Sequence, residues 1–382
     1  MVRAAVVVTN PCAPDPRVLR HARWLSECGF SVTVHAFDRG ETHPMSENHH
    51  GVRIMRYRLG QHRYGGSYAT YRGIRAFQRQ VLRTLHHEPP ALVYCHDADT
   101  LRIGVDLARR FGTPYVFDMH DLQHTWALHI RPKSLVRKQV ASGMRRRMLK
   151  RAKGASAIIT TSLAGERYVH PGFVEWLKCQ GLVSTCVENR PLPPFAQEKS
   201  PPKDGWTVGY TGRIRDVEPF ELLLQSIALL PEHDRPSVLI AGDGVAAQKV
   251  TQKVEEATEQ GLLHATISGA FDRKSLMDHL SKVDVMYAMY PDSRLNILQG
   301  ALPVKMFDAA SAGIPSVVNE GCLMGDVVTV EGLGLAVKYG DIQALADALL
   351  ACKDRVVMLQ TTGEQERERW MEAMDTVLKS VQ

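Results

Sequence analysis

The chain has 382 residues, 44% hydrophobic and 23% charged, with a formal net charge of +6. That length suits two domains better than one core, and no stretch approaches the roughly 18 apolar residues of a membrane span. The seven cysteines (12, 28, 95, 179, 186, 322 and 352) are scattered, odd in number and without a C-x-x-C pair, which points to a reduced, cytoplasmic protein with no cysteine metal site.

The charge is unevenly spread. Residues 1–190 hold 29 Lys and Arg against 14 Asp and Glu, whereas residues 191–382 hold 18 against 27. Two lobes with different partners follow, the basic one facing something anionic.

AAVVVTN (4–10) is a continuous apolar run, too short for a secretion signal and right for a buried parallel strand. In the next segment Asp15 can cap a helix, Pro16 takes its first position and Gly29 stops it. SVTVHAF then predicts a second strand. Two more are predicted at 91–100 and 113–122, both ending in His and Asp. Asn10, Asp15, Arg17, His96 and Asp121 thereby fall near strand ends, where open α/β sheets bind ligands. Arg17 reads equally well as an ordinary helix-surface arginine. Asp97-Ala98-Asp99 mimics a metal-binding D-x-D, a tripeptide common by chance.

Residues 131–153 carry ten basic side chains and no acidic one. Val136, Val140, Met144 and Met148 recur every four residues, so a helix is predicted with that stripe packed on the sheet. The charges read either as a solvated face or as an attraction to anionic lipid without insertion. Nucleic acid is the poorer partner, since no aromatic platform is interleaved with the arginines. ASAIITTS predicts another strand. A linker follows at 189–205, with five prolines.

Beyond it the strand–helix grammar restarts with WTVGYTGRI, FELLLQSIALL, SVLIAGDG, ATISGAF, VDVMYAMY and PSVV. Glycines after a strand let phosphates approach the backbone, and in GYTGRIRD two arginines, 213 and 215, follow Gly212 at once. A helix of about three turns is predicted over 302–313, with Pro303 first and Gly313 as its left-handed stop. Its start offers unpartnered N–H groups to a phosphate. Asp308, a turn further in, suits a ribose diol or else pairs with Lys305 at i, i+3.

The segment LPVKMFDAASAGIPSVV closely resembles the donor-binding segment of family 4 glycosyltransferases, roughly P-x-K-x-F-E-A-M-A-x-G-x-P-V-V. The resemblance implies a fold class: α/β, GT-B, two doubly wound Rossmann-like domains facing each other across a cleft. They would span 1–190 (joined by a C-terminal helix at about 365–382) and 205–364. On that pattern Asp308 binds the nucleotide ribose. A glutamate expected eight residues earlier is missing, Gly300 standing in its place, with Asn296, Gln299 or the Gly300 backbone as substitutes. GYTGRIRD resembles the family's G-R-x-x-x-x-K. Arg213 matches, Glu218 stands at the lysine position, and Arg215 is the candidate second charge on the leaving diphosphate. FDMHDL places His120 at the donor sugar. Gly212, Gly242, Gly244, Gly269, Ala301 and Lys305 complete the implied donor site. The variant start DPRVLR also resembles the family.

The resemblance implies a retaining, metal-independent transfer from a nucleoside diphosphate sugar, most often a UDP sugar, to an acceptor hydroxyl. No cofactor, resident metal or nucleic acid is expected. The acceptor is open between a lipid-linked sugar, a polysaccharide and a small metabolite. The expected location is cytoplasmic, with a peripheral contact at the inner membrane face through 131–153 as one reading of the charge. A nucleotide-sugar epimerase on the same fold, a catalytically weakened sugar-nucleotide-binding subunit and a nucleic-acid-binding protein using its basic lobe are the competing readings.

Overall fold

The computed structural model of the chain describes residues 2–13, 15–60, 67–129, 132–192 and 205–381. Most of the expected linker (193–204) and Arg131 lie outside these. The chain divides into two compact units. One comprises Met1–Thr161, Trp176–Val187 and Arg367–Gln382; the other comprises Ser162–Glu175 and Glu188–Glu366. Residues 162–175, expected within an unbroken first domain, thus cluster with the second unit.

The first unit is built on eight strands: β1 (Arg3–Val8), β2 (Ser31–Phe37), β3 (Ser46–His49), β4 (Val52–Tyr57), β5 (Leu92–His96), β6 (Tyr115–Met119), β7 (Ala157–Thr160) and β8 (Thr185–Cys186). They lie in the order β3-β4-β2-β1-β5-β6-β7-β8. All pairs are parallel except β3 with β4. β1 is apolar throughout its buried part, and β5 is apolar up to its last residue, His96, as strands covered by helices on both faces tend to be. The first helix, Pro16–Glu27, starts as the sequence predicts, Asp15 accepting from the Val18 N–H at 3.2 Å. Val6, Val34, Tyr94, Val116 and Ile159 form the core with Trp370 and Met374 of the last helix, Gly363–Val381.

The helix Leu135–Ala152 corrects one expectation. Val136 and Val140 are 70% and 49% exposed, and only Ala141, Met148 and Ala152 are buried. The apolar stripe therefore does not pack on the sheet along its length. Two alanines and Met148 close the helix onto its neighbours, leaving Leu135 and Val136 exposed beside the basic residues.

The second unit holds β9 (Thr207–Thr211), β10 (Ser237–Ala241), β11 (Ala265–Ser268), β12 (Val285–Ala288), β13 (Ser316–Asn319) and β14 (Gly334–Val337). They are all parallel, in the order β11-β10-β9-β12-β13-β14. This doubly wound order reverses direction between β9 and β12, where such sheets open a crevice at the strands' carboxyl ends. Val208, Ile240, Val285 and Val317 are at most 2% exposed and form its core with Phe220 and Leu349. Each such side chain contributes roughly 1.5–3 kcal/mol on burial. Among the described residues, no helix is long and apolar enough to cross a membrane.

Candidate active site

At the carboxyl ends of β9 and β10 two loops interlock through backbone. The Gly212 N–H donates to Ala241 O at 2.9 Å, and the Ile214 N–H donates to Asp243 O at 2.8 Å. Gly242 (φ 154°) runs against this loop so closely that a Cβ would stand 1.8 Å from Gly212 O. Gly244 (φ 152°) would meet Ile214 O at 2.1 Å. These two glycines are therefore required by loop packing itself. Gly269 has open space where its Cβ would be.

The charges sit on that loop. Arg213 is exposed and donates to Asp243 Oδ1 at 2.7 Å. Arg215 is exposed as well. Asp216 receives the buried Arg294 at 2.7 Å, which ties the loop to the segment after β12. Glu218 opens the helix Glu218–Leu229, where an acid complements the helix dipole.

Facing the loop is the helix Val304–Ser311, two turns in place of the three expected, with Pro303 as its N-cap residue and not its first helical one. Gly313 (φ 77°) ends it as predicted. Lys305 does not pair with Asp308. Its Nζ lies 3.2 Å from the centroid of the Tyr210 ring and 5.7 Å from that of Tyr290. No acceptor reaches this buried nitrogen among the described residues. Burial alone holds the ammonium well below its usual pKa. A cation on an aromatic face gains about 2 kcal/mol when desolvated, less than the several kcal/mol lost on leaving water. Asp308 is partly exposed on the same helix.

Gly300 and Ala301 precede this helix, both buried, and the Ala301 N–H donates to Asn296 O at 2.9 Å. Gly300 has φ 106°, and a Cβ there would stand 2.7 Å from Pro171 O. No side chain fits, so the residue expected as glutamate is excluded by the crossing of residues 162–175. Gly212, Gly242, Arg213, Arg215, Lys305 and Asp308 thus share the ends of β9, β10 and the helix after β12. The cavity of about 410 Å³ lined by Thr329, Gly332, Gly334 and Arg355 lies at the amino end of β14, away from them.

In the first unit the predicted residues divide into two groups. Asn10 donates to Asp15 Oδ2 at 2.7 Å, which completes the cap of the first helix. His120 is partly exposed, its Nδ1 lying 3.3 Å from Asp97 Oδ1. Asp97 has φ 66°, and burial raises its carboxyl pKa, helped by Asp99 and Asp121. Asp121 accepts from the Trp126 indole at 2.5 Å, and Asp99 accepts from Thr9 at 2.7 Å.

The second group is buried. Arg17 is neither ligand-facing nor on the helix surface: at 6% exposure its guanidinium grips both oxygens of Asp118 and donates to Val187 O at 3.1 Å. His96 Nδ1 lies 2.7 Å from Asp118 Oδ2, and His21 Nδ1 lies 3.1 Å from the same oxygen. Burial opposes ionisation of Asp118, yet Arg17 and the two histidines hold its carboxyl well below the usual range. His21, His96 and Asp118 converge as metal ligands would. The guanidinium already spans that carboxylate, however, and its charge opposes a cation there. Trp370 donates to Tyr94 Oη at 3.0 Å, and Tyr94 Oη lies 3.1 Å from His21 Nδ1.

His21, Asp118, Tyr94 and the Tyr210–Tyr290 cage were not singled out from the sequence. Tyr210 is the last residue but one of β9 and Tyr290 lies two residues past β12, and that repetition near two strand ends was the available signal.

Residues 13–174 match the family described as a glycosyl transferase 4-like domain, and residues 205–354 match glycosyl transferases group 1. No curated protein matches the sequence. Among solved structures, the chain is similar to a sucrose-phosphate synthase from Thermosynechococcus elongatus, at 16% identity and a TM-score of 0.68, covering 100% of this chain and 97% of that one. It is also similar to Anabaena HepE in complex with UDP-glucose (14%, TM-score 0.61, 100% and 98% covered). A third is an alpha,alpha-trehalose-phosphate synthase (UDP-forming) from Burkholderia vietnamiensis (14%, TM-score 0.59, 100% and 97% covered). At these identities the likeness is one of fold.

Proposed function

This chain belongs to the GT-B glycosyltransferases, with a 4-like and a group 1 domain, and we propose that it is a retaining, family 4 type enzyme using a UDP sugar. It moves a hexosyl or N-acetylhexosaminyl group to an acceptor hydroxyl. The observation that carries this reading is the meeting of the Gly212–Arg215 loop with the helix Val304–Ser311 at the switch point of the second sheet.

The diphosphate lies on the loop amides and the start of that helix, with Arg213 and Arg215 taking up the charge that develops on it. Arg213 exchanges Asp243 for the phosphate, a small cost because the pair is exposed. Asp308 holds the ribose. In the step, the bond from the anomeric carbon to the β-phosphate oxygen breaks, its electron pair going to that oxygen. The acceptor oxygen bonds the same carbon on the same face, and its proton passes to the departing diphosphate. His120 is the first unit's candidate for orienting the sugar. Neither a resident cofactor nor a metal is needed.

A second reading, a nucleotide-sugar-binding subunit of weakened catalysis, is favoured by Gly300 and Glu218 standing where acid and lysine are expected. A thermal-shift panel of nucleotides tests the donor site common to both, since a ligand of the native state raises apparent stability. UDP and UDP sugars are expected to raise the melting temperature above AMP and GDP. Equal or absent shifts would overturn the UDP donor.

A further inference from the structure

Lys305 is a costly residue for the place it fills. Its ammonium is shut from water, without an acceptor among the described residues, and rests on the face of Tyr210. A methionine would occupy the same space without the desolvation. What the lysine adds is an amine close to the phosphate-facing loop, one that an arriving phosphate keeps protonated. The open side of Gly212 looks directly at it, since a Cβ on that glycine would touch both Cε and Nζ at 3.7 Å. Any larger residue at 212 would stand between the ammonium and a ligand on the loop. Across the same loop, the position that the resemblance assigns to a diphosphate-binding lysine is Glu218, fixed at a helix start that suits an acid.

We propose that Lys305 adds a third positive charge beside Arg213 and Arg215, in place of the one absent at position 218, leaving the Tyr210 face for the diphosphate when a nucleotide sugar docks over Gly212. This rests on the donor-site reading above. The lysine forms no covalent bond in the transfer. It donates a charge-assisted hydrogen bond to a phosphate oxygen, strongest as that oxygen gains the electron pair of the broken bond. Tyr210 and Tyr290 keep the side chain extended and dry in the absence of donor, so that it is already ordered when the phosphate arrives.

The test compares UDP with UMP binding, by calorimetry on the full chain, for the wild type, Lys305→Met and the double variant Lys305→Met/Glu218→Lys. Lys305→Gln replaces the methionine variant if that one does not fold. The wild type is expected to prefer UDP. Losing Lys305 should cut UDP affinity roughly tenfold to a hundredfold and leave UMP affinity unchanged. Adding Glu218→Lys should restore most of the difference, which a merely structural role for Lys305 would not allow. A wild type that binds neither nucleotide would overturn the UDP donor-site reading and this one with it. A wild type that prefers UDP, with the preference intact in the Lys305 variant, would overturn the role of Lys305 alone. A lost preference that Glu218→Lys does not restore would overturn the equivalence of the two positions.

Discussion

The carbonyl oxygen of Pro171 stands 2.7 Å from where a Cβ on residue 300 would be, and the Cα of Gly172 stands 2.9 Å from it. Position 300 therefore differs from the family pattern for a steric reason. The chain between β7 and β8 crosses it, and the backbone adopts φ 106° there. In the proposed donor site, the sugar contact expected of a glutamate at this position would fall to backbone or to neighbours such as Asn296.

Gly300→Ala and Gly300→Glu should both destabilise the second unit, by about 2 kcal/mol or more, because each adds strain at a left-handed position and a clash with backbone. Neither should raise activity. Denaturant unfolding measures the loss, and curves coincident with wild type would contradict the crossing.

Asp118→Asn should cost about 3–5 kcal/mol, since it strands the buried guanidinium of Arg17. The same core makes the first unit acid-labile. Burial holds His35 down to about 4 and His21 well below 6.5, so below pH 6.5 the unfolded chain takes up protons that the folded one does not. Stability then falls as pH falls, by about 1.4 kcal/mol per unit for each such histidine. Asp118 adds a further loss only below its unfolded value of 3.8. Equal unfolding free energies at pH 7 and pH 5 would contradict this.

Much of the fold was legible because parallel strands buried on both faces are written as largely apolar segments: AAVVV fills β1 after Arg3, and SVTVHAF is β2 to the residue. β3, β4, β8 and β14 were not foreseen, being short, partly polar or glycine-started. Of the site, the Asp15 cap and the Gly313 stop follow from local backbone chemistry and were readable. The Arg17–Asp118 pair joins residues 101 apart, and the Lys305–Tyr210 contact joins a helix start to a distant strand, so no local pattern announces either. The stripe in 135–152 had helical spacing, but spacing does not say which neighbour covers it.

Arg213→Ala and Arg215→Ala should each lower turnover by up to roughly 3 kcal/mol of lost transition-state stabilisation, and change stability by less than about 1 kcal/mol. Steady-state kinetics beside thermal melts separates the two effects. Near wild-type turnover in both variants would place the diphosphate elsewhere.

The basic helix Leu135–Ala152 should bind vesicles containing anionic lipid, weakly and more so at low salt, at roughly 1 kcal/mol per basic side chain near the surface. Exposed Leu135 and Val136 should leave a residue of binding that salt does not remove. Replacing Arg145, Arg146 and Arg147 with Gln should reduce co-sedimentation without changing nucleotide affinity. Protein wholly in the supernatant at low salt would contradict the contact.

The central claim, sugar transfer from a nucleoside diphosphate donor, is tested most directly by incubating the full chain with radiolabelled UDP sugars. The arms are with and without a panel of lipid-linked, polymeric and small acceptors, and with and without chelator. The account predicts UDP release coupled to labelled acceptor, the product keeping the donor's anomeric configuration, at equal rates in chelator. Donor converted without any acceptor, an inverted product, or turnover that chelator abolishes and a divalent ion restores would contradict it.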